Sequence, residues 1–186
     1  MFVLNFSATQ QFDYHWQPLS QARMGGIPKH LRYWLAEPGS LTARLKSMGS
    51  LSIDVIKDTW GQPTHREQIS LGLRPREAAR VREVILKVNG TAVIYARSIV
   101  PARALVGHWR HLSQLKNQPL GGYLFKNKNL LRSPIEIALL PVNCFHNINE
   151  IVWARRSVFK QYNKGVLVCE AFLPAIKTLP ATHLLP

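Results

Sequence analysis

Three charged residues of this chain fall at positions where the surrounding pattern calls for apolar ones. Val81–Val88 and Thr91–Val100 flank Asn89-Gly90 and read as two strands joined by a two-residue type I′ turn. Side chains alternate along a strand, so Arg82 shares its face with Val84, Leu86 and Val88 and points inward. If Val88 pairs with Thr91, Arg82 falls opposite Arg97. Like charges facing each other destabilise a sheet, and an unpaired buried charge costs on the order of several kcal/mol. An anion is therefore expected beside them. It is either a protein carboxylate or the carboxylate of a ligand, which the planar fork of arginine grips in bidentate fashion. A bulge that shifts the register by one residue would dissolve this juxtaposition.

A second hairpin repeats the pattern with opposite sign. Ile151–Tyr162 and Val166–Pro174 flank Asn163-Lys164-Gly165, and Glu170 shares a face with Val166, Val168 and Phe172. A three-residue turn sets Val158 beside Glu170 and Arg156 on the diagonal of the same face. A structural ion pair between Glu170 and Arg156 is one reading. The other is a cavity with two cationic forks and one carboxylate between apolar walls, suited to a small cyclic or aromatic carboxylic acid with a hydroxyl at its far end.

The rest of the chain supplies elements to hold these strands. A helix is expected from Pro28 through Leu31, Trp34 and Leu35 to the stop at Pro38-Gly39, and Ser40 caps a second one carrying Leu41 and Leu45 and ending at Gly49. Leu51 to Trp60 reads as a strand, Pro75 opens a helical turn, and 101–105 and 108–115 read as helical. Asn117 to Gly122 breaks the chain, and Ser133 to Leu140 contains a further strand. Hairpins with helices between them predict an α+β domain: a single antiparallel sheet of about six strands with helices packed on one side. The whole of 1–186 is expected to be one domain, with 1–26 a loosely packed lead-in ending at Gly25-Gly26.

Composition narrows the function. A hydrophobic content of 46% excludes a disordered chain, and no apolar run reaches the ~18 residues that would span a bilayer. The net charge of +14 attracts anions, with nucleic acid, acidic lipid or a small anionic substrate as the classes to weigh. No run of Lys or Arg exceeds two, however, and neither zinc-finger nor basic-zipper spacing is present. The five tryptophans do not interleave with bases as a single-strand platform would. Cys144 and Cys169 are too few for a disulfide framework and suit a reducing compartment. Met1 to Phe6 lacks the charged start of a signal peptide, so a cytoplasmic location is expected. His108 and His111 have metal-compatible spacing but no third ligand nearby, so no metal is expected. No nucleotide-binding glycine motif or nucleophile elbow occurs.

The segments that carry these oddities resemble the bacterial chorismate pyruvate-lyase family. The similar stretches are Arg82-Glu83-Val84-Ile85-Leu86 with Asn89-Gly90, Arg97 to Pro101, Pro119 to Phe125, Ile135-Glu136-Ile137, Trp153 to Ser157, and Glu170 to Ala175. They follow the family's order from about Ile27 to Ala175, whereas 138–152 look like an insertion. The resemblance implies a cofactor-free enzyme that splits chorismate into 4-hydroxybenzoate and pyruvate for ubiquinone synthesis, with its ligand buried under helical flaps. Carried over by motif, Arg82 would hold the ring carboxylate, Glu170 would hydrogen-bond the ring hydroxyl, and Leu41 and Leu120 would line the pocket. Arg97 is expected to take the second substrate carboxylate, making Arg82 and Glu170 the catalytic pair. The partners implied are chorismate and 4-hydroxybenzoate, with no nucleic acid, a monomeric state and peripheral contact with an anionic membrane. Two alternatives remain: the same fold as a non-catalytic effector-binding domain of a transcription regulator, for which 186 residues leave no room for a DNA-binding partner domain, and a basic nucleic-acid-binding protein.

Overall fold

The computed structural model describes residues 13–180 other than 106–108, 111, 113–114, 116–117, 128, 143 and 146–147. Its strands are β1 (Gln17–Pro18), β2 (Leu51–Gly61), β3 (Ala79–Val88), β4 (Thr91–Pro101), β5 (Leu131–Arg132), β6 (Glu136–Leu140), β7 (Val152–Gln161) and β8 (Lys164–Phe172). They form one antiparallel sheet in the order β1-β6-β7-β8-β4-β3-β2, with β5 beside β7. The expected α+β architecture is therefore present. The six longer strands match the expected number, and two short ones extend the sheet.

The helices are α1 (Lys29–Ala36), α2 (Leu41–Lys46), α3 (His65–Leu71) and α4 (Leu120–Leu124). The Ser40 side chain accepts from the Ala43 N–H and starts α2, as its residue type dictates. On one face of the sheet, Trp34 and Leu35 of α1 and Leu41 and Leu45 of α2 pack on Val84, Leu86, Ile94 and Phe172. The opposite face carries Ile85, Tyr95, Ile99, Leu167 and Cys169, covered by Leu71 of α3 and by Cys144 and Phe145 of the β6–β7 connection.

Helices thus lie on both faces, not on one as the pattern led us to expect. The reason is the sheet itself: eight of the ten residues of β3 are buried, and a strand buried on both sides needs two covers. Helix α3 is also unforeseen, although its start is written in the chain. Thr64 accepts from the Glu67 N–H, the Glu67 carboxylate accepts from the Thr64 N–H, and Gly72 at φ 58° ends the helix.

Other expectations shift at their edges. The lead-in is tied down from Trp16, which is buried, and Gln17 pairs with Ile137, whereas residues 1–12 lie outside the described residues. Within 138–152, residues 138–140 and Val152 belong to β6 and β7, leaving 141–151 as the connection. The helical reading of 101–105 narrows to a single tight turn at Ala102–Ala104, and His108 and His111 lie outside the described residues. Among the described residues no helix is long and apolar enough to cross a membrane.

Two bulges set the register. Asn89 at φ 49° and Gly90 at φ 80° give the left-handed conformations that a type I′ turn requires, and Val88 pairs with Thr91. Val93 is then an extra residue: Lys87 pairs with Ala92 but Leu86 with Ile94, so Arg82 faces Ser98 and Glu83 faces Arg97. In β2, Ile56 is extra in the same way, and Asp58 faces Arg82. Were Ile56 paired in a regular ladder, Lys57 would stand opposite Arg82. Were Val93 so paired, Arg97 would. Each bulge replaces a like-charge pair with an opposite-charge one.

Candidate active site

The α1–α2 face holds a cavity where β3, β4, β8 and β7 pass under the start of α4. Arg82, Val84, Ala96, Ser98, Val168, Glu170, Arg155 and Ser157 form its floor, with Thr42 of α2 and the segment from Gln118 to Gly121 above them and Arg132, Phe125 and Phe159 to one side. Its volume is about 50 Å³, several times what a single water needs. The roof closes tightly. A Cβ added at Gly121 would lie 3.0 Å from the Thr42 hydroxyl, so a side chain there would need the Thr42 side chain to give by a few tenths of an ångström.

Arg82 is buried at one end. Its Nη1 donates to Asp58 Oδ2 at 3.0 Å and its Nη2 to the Gln118 carbonyl at 3.3 Å, while Arg80 Nε donates to the other oxygen of the same aspartate at 2.6 Å. The protein carboxylate that the sequence demanded beside Arg82 is thus Asp58, and it fixes the guanidinium at the cavity wall.

Glu170 stands at the other end. Its Oε2 accepts from Arg155 Nε at 2.8 Å. Arg155 is 1% exposed, and its Nη1 donates to the main-chain carbonyls of Trp34, Leu35 and Glu37 at 3.1, 3.4 and 2.7 Å, which ties the end of α1 to β7. Two strand spacings and two residues of rise separate Arg82 from Glu170, roughly 12 Å between Cα atoms for ideal sheet dimensions. Their side chains reach toward the space between.

Two expectations need correction and a third is narrowed. Arg97 is not in the cavity: the Val93 bulge turns it to the opposite face, where it donates to Glu67 at 2.7 and 3.0 Å and to Glu83. Burial opposes its charge, but the Glu67 and Glu83 carboxylates outweigh that and hold its pKa above the ordinary value. Arg156 is not beside Glu170, because the β7–β8 turn has two residues, Tyr162 at φ 52° and Asn163, and Gln161 pairs with Lys164. Arg155 therefore faces Glu170, and Arg156 turns to the other face and pairs with Glu136. The Leu41 side chain is buried in the helix cluster and the side chain at the cavity is that of the next residue, Thr42, so what Leu41 can offer a ligand is its main-chain N–H in the first turn of α2. Arg82, Leu120 and Glu170 do line one space.

Sequence reasoning missed Arg155, Asp58 and Arg132. Arg155 was legible in that adjacent arginines on a strand must face opposite ways, but the turn length chose between them. Asp58 depends on a bulge that no residue type announces. Arg132 lies in a two-residue strand with no periodicity to read. Its Nε donates to the Ser157 hydroxyl at 3.0 Å and its Nη1 to the carbonyls of Glu37 and Pro38 at 3.3 and 2.9 Å. Its guanidinium lies 5.8 and 5.3 Å from the ring centres of Phe125 and Phe159. Burial, together with the charge of Arg155, lowers its pKa to about 10 against the opposing pull of Glu170 and Glu37, so it is cationic at neutral pH. On the opposite face burial pushes the Cys169 thiol up, as befits an unreactive core residue.

A family model described as "Chorismate lyase" matches residues 13–179. Among curated relatives, the "Probable chorismate pyruvate-lyase" of Aromatoleum aromaticum is 39% identical over 166 residues, covering 83% of this chain and 90% of that one. The "Probable chorismate pyruvate-lyase 1" of Pseudomonas fluorescens is 35% identical over 171 residues, covering 88% and 91%. Among solved structures, PhnF from Mycobacterium smegmatis superposes with a TM-score of 0.55 at 14% identity over 75% of this chain and 65% of its own. The C-terminal domain of the histidine utilization repressor from Pseudomonas syringae gives 0.51 at 11% identity over 68% and 93%. These two share the fold.

Proposed function

This chain belongs to the chorismate lyase family, and on that premise we propose that it converts chorismate to 4-hydroxybenzoate and pyruvate in the cavity between Arg82 and Glu170. The observation that carries the reading is a single small hollow with a fixed guanidinium at one end, a carboxylate at the other and apolar walls between. A ring acid with a hydroxyl opposite its carboxylate matches that polarity end to end.

In the reaction the C3–O bond breaks and its electron pair leaves with enolpyruvate. The C4–H bond gives its pair to the new ring double bond, and the hydrogen departs as a proton. Enolpyruvate takes up a proton on carbon and becomes pyruvate. The change is redox-neutral, so no electron acceptor enters, and aromatisation makes it strongly downhill. The protein's work is positioning. Arg82, steadied by Asp58, holds the ring carboxylate, and Glu170, steadied by Arg155, accepts from the 4-hydroxyl. The product, a ring precursor for ubiquinone, leaves only when the α2–α4 roof parts, so release limits turnover.

Mixing the purified protein with chorismate and following 4-hydroxybenzoate absorbance, with pyruvate read by a coupled dehydrogenase, tests the reading directly. Equal appearance of both products is expected. Tight binding of 4-hydroxybenzoate without turnover would move the chain to the effector-binding role. Salt-dependent retention on DNA without turnover would move it to nucleic-acid binding.

A further inference from the structure

We infer that Arg132 is the anchor for the second carboxylate of the substrate, the one that departs with the three-carbon fragment. The inference rests on the proposed reaction and fills the role that Arg97, on the wrong face of the sheet, cannot.

The argument begins with charge. The chain has ten acidic side chains, and each of them is in an ion pair: Asp13, Glu37, Asp54, Asp58, Glu67, Glu77, Glu83, Glu136, Glu150 and Glu170 all lie within 4 Å of an Arg or Lys nitrogen. Of the three arginines on the cavity wall, Arg82 pairs with Asp58 and Arg155 with Glu170. Arg132 has no carboxylate within that range, and its Nη2 has no hydrogen-bond partner among the described residues. No carboxylate of the protein is left over for it. A cation held at a mostly apolar wall, fixed through Nε and Nη1 and open at Nη2, is completed by an anion that comes from outside.

Position argues the same way. Arg132 sits at the Glu170 end of the cavity: its Nε donor bonds Ser157, two residues along β7 from Arg155, and it feels the charges of both Arg155 and Glu170. The departing ether is attached at C3, next to the carbon that bears the hydroxyl. A substrate with its ring carboxylate on Arg82 and its hydroxyl on Glu170 therefore carries the side-chain carboxylate toward that end. Phe125 and Phe159 flank the guanidinium, with ring centres 5.8 and 5.3 Å from it, and help to hold its plane.

The product lacks this carboxylate, and the test uses that difference. Steady-state turnover of chorismate and equilibrium binding of 4-hydroxybenzoate are measured for wild type, Arg132→Gln, Arg132→Lys and Arg82→Gln. Arg132→Gln is expected to lower kcat/KM for chorismate by about 100-fold, the worth of one charge-assisted contact, with 4-hydroxybenzoate affinity within about threefold of wild type. Arg82→Gln weakens both. Arg132→Lys keeps the charge without the fork and recovers part of the loss, and it serves alone if the glutamine variant does not fold: its KM for chorismate rises while its product affinity holds. Equal losses for chorismate and 4-hydroxybenzoate in both Arg132 variants, or no loss in either, overturn the assignment. A wild-type protein that neither turns over chorismate nor binds 4-hydroxybenzoate overturns the reaction itself, and the assignment with it.

Discussion

The two faces of the sheet both bury arginine, and they do opposite things with it. Under α3, Arg97 is enclosed by Glu67 and Glu83, with Tyr95 beside Glu83, so that two carboxylates surround one guanidinium and the surroundings are packed. Under α1, α2 and α4, Arg82, Arg132 and Arg155 have as ion-pair partners only Asp58 and Glu170, with Glu37 acting from farther off, and a hollow lies between them. A buried arginine is therefore no sign of a site. What distinguishes a site is an excess of one charge facing space that the chain leaves unfilled.

Substitutions on the two faces should separate stability from activity. The largest effect belongs to Arg97→Met, which leaves two carboxylates buried with no cation: unfolding in denaturant should show a loss of about 3–5 kcal/mol. A variant as stable as wild type would erase the contrast. Arg82→Gln is expected to cost less stability than Arg97→Met, because Asp58 keeps Arg80, and to reduce kcat/KM about 100-fold, because it removes a contact made to substrate. Glu170→Gln keeps an acceptor for the hydroxyl and should cost about tenfold in kcat/KM, with Arg155 still held by three carbonyls. Thr64→Ala strips the cap of α3 on the packed face and should lower stability by ~1 kcal/mol with KM unchanged.

The smallest effect sharpens the comparison through pH. Burial raises the pKa of Glu37, but the Gly39 N–H together with Arg44 and Arg155 more than offsets this and holds it below the ordinary carboxylate value. A carboxyl with a lowered folded-state pKa adds stability that is full above its unfolded value and is lost as pH falls through the folded one. The acid limb of the stability profile should therefore be shallower in Glu37→Gln than in wild type.

Much of the cavity was legible before any coordinates. Alternation turned Arg82 and Glu170 inward, Asn89-Gly90 announced its turn, and Pro28 and Ser40 announced their helices. The errors are of one physical kind, a miscount of residues between a turn and a charge. Val93 sent Arg97 to the other face, and a two-residue turn in place of three exchanged Arg156 for Arg155. Alternation amplifies a single miscount into a full reversal, because a strand has only two sides. Helix α3 is a different kind of miss, since Thr64 and Glu67 displayed its start in the chain.

The extra residue at Val93 makes chain length itself a determinant of electrostatics. Deleting Val93 itself would leave Arg97 opposite Glu83, but deleting a residue between Val93 and Arg97 with the bulge kept would swing Arg97 toward the cavity and strand Glu67 and Glu83, so a shortening that removes no charge would alter the charge of two compartments at once. Between the bulge and Arg97, with the bulge kept, the strand should reject insertions and deletions of one residue and tolerate those of two, a parity rule that the 141–151 connection does not share.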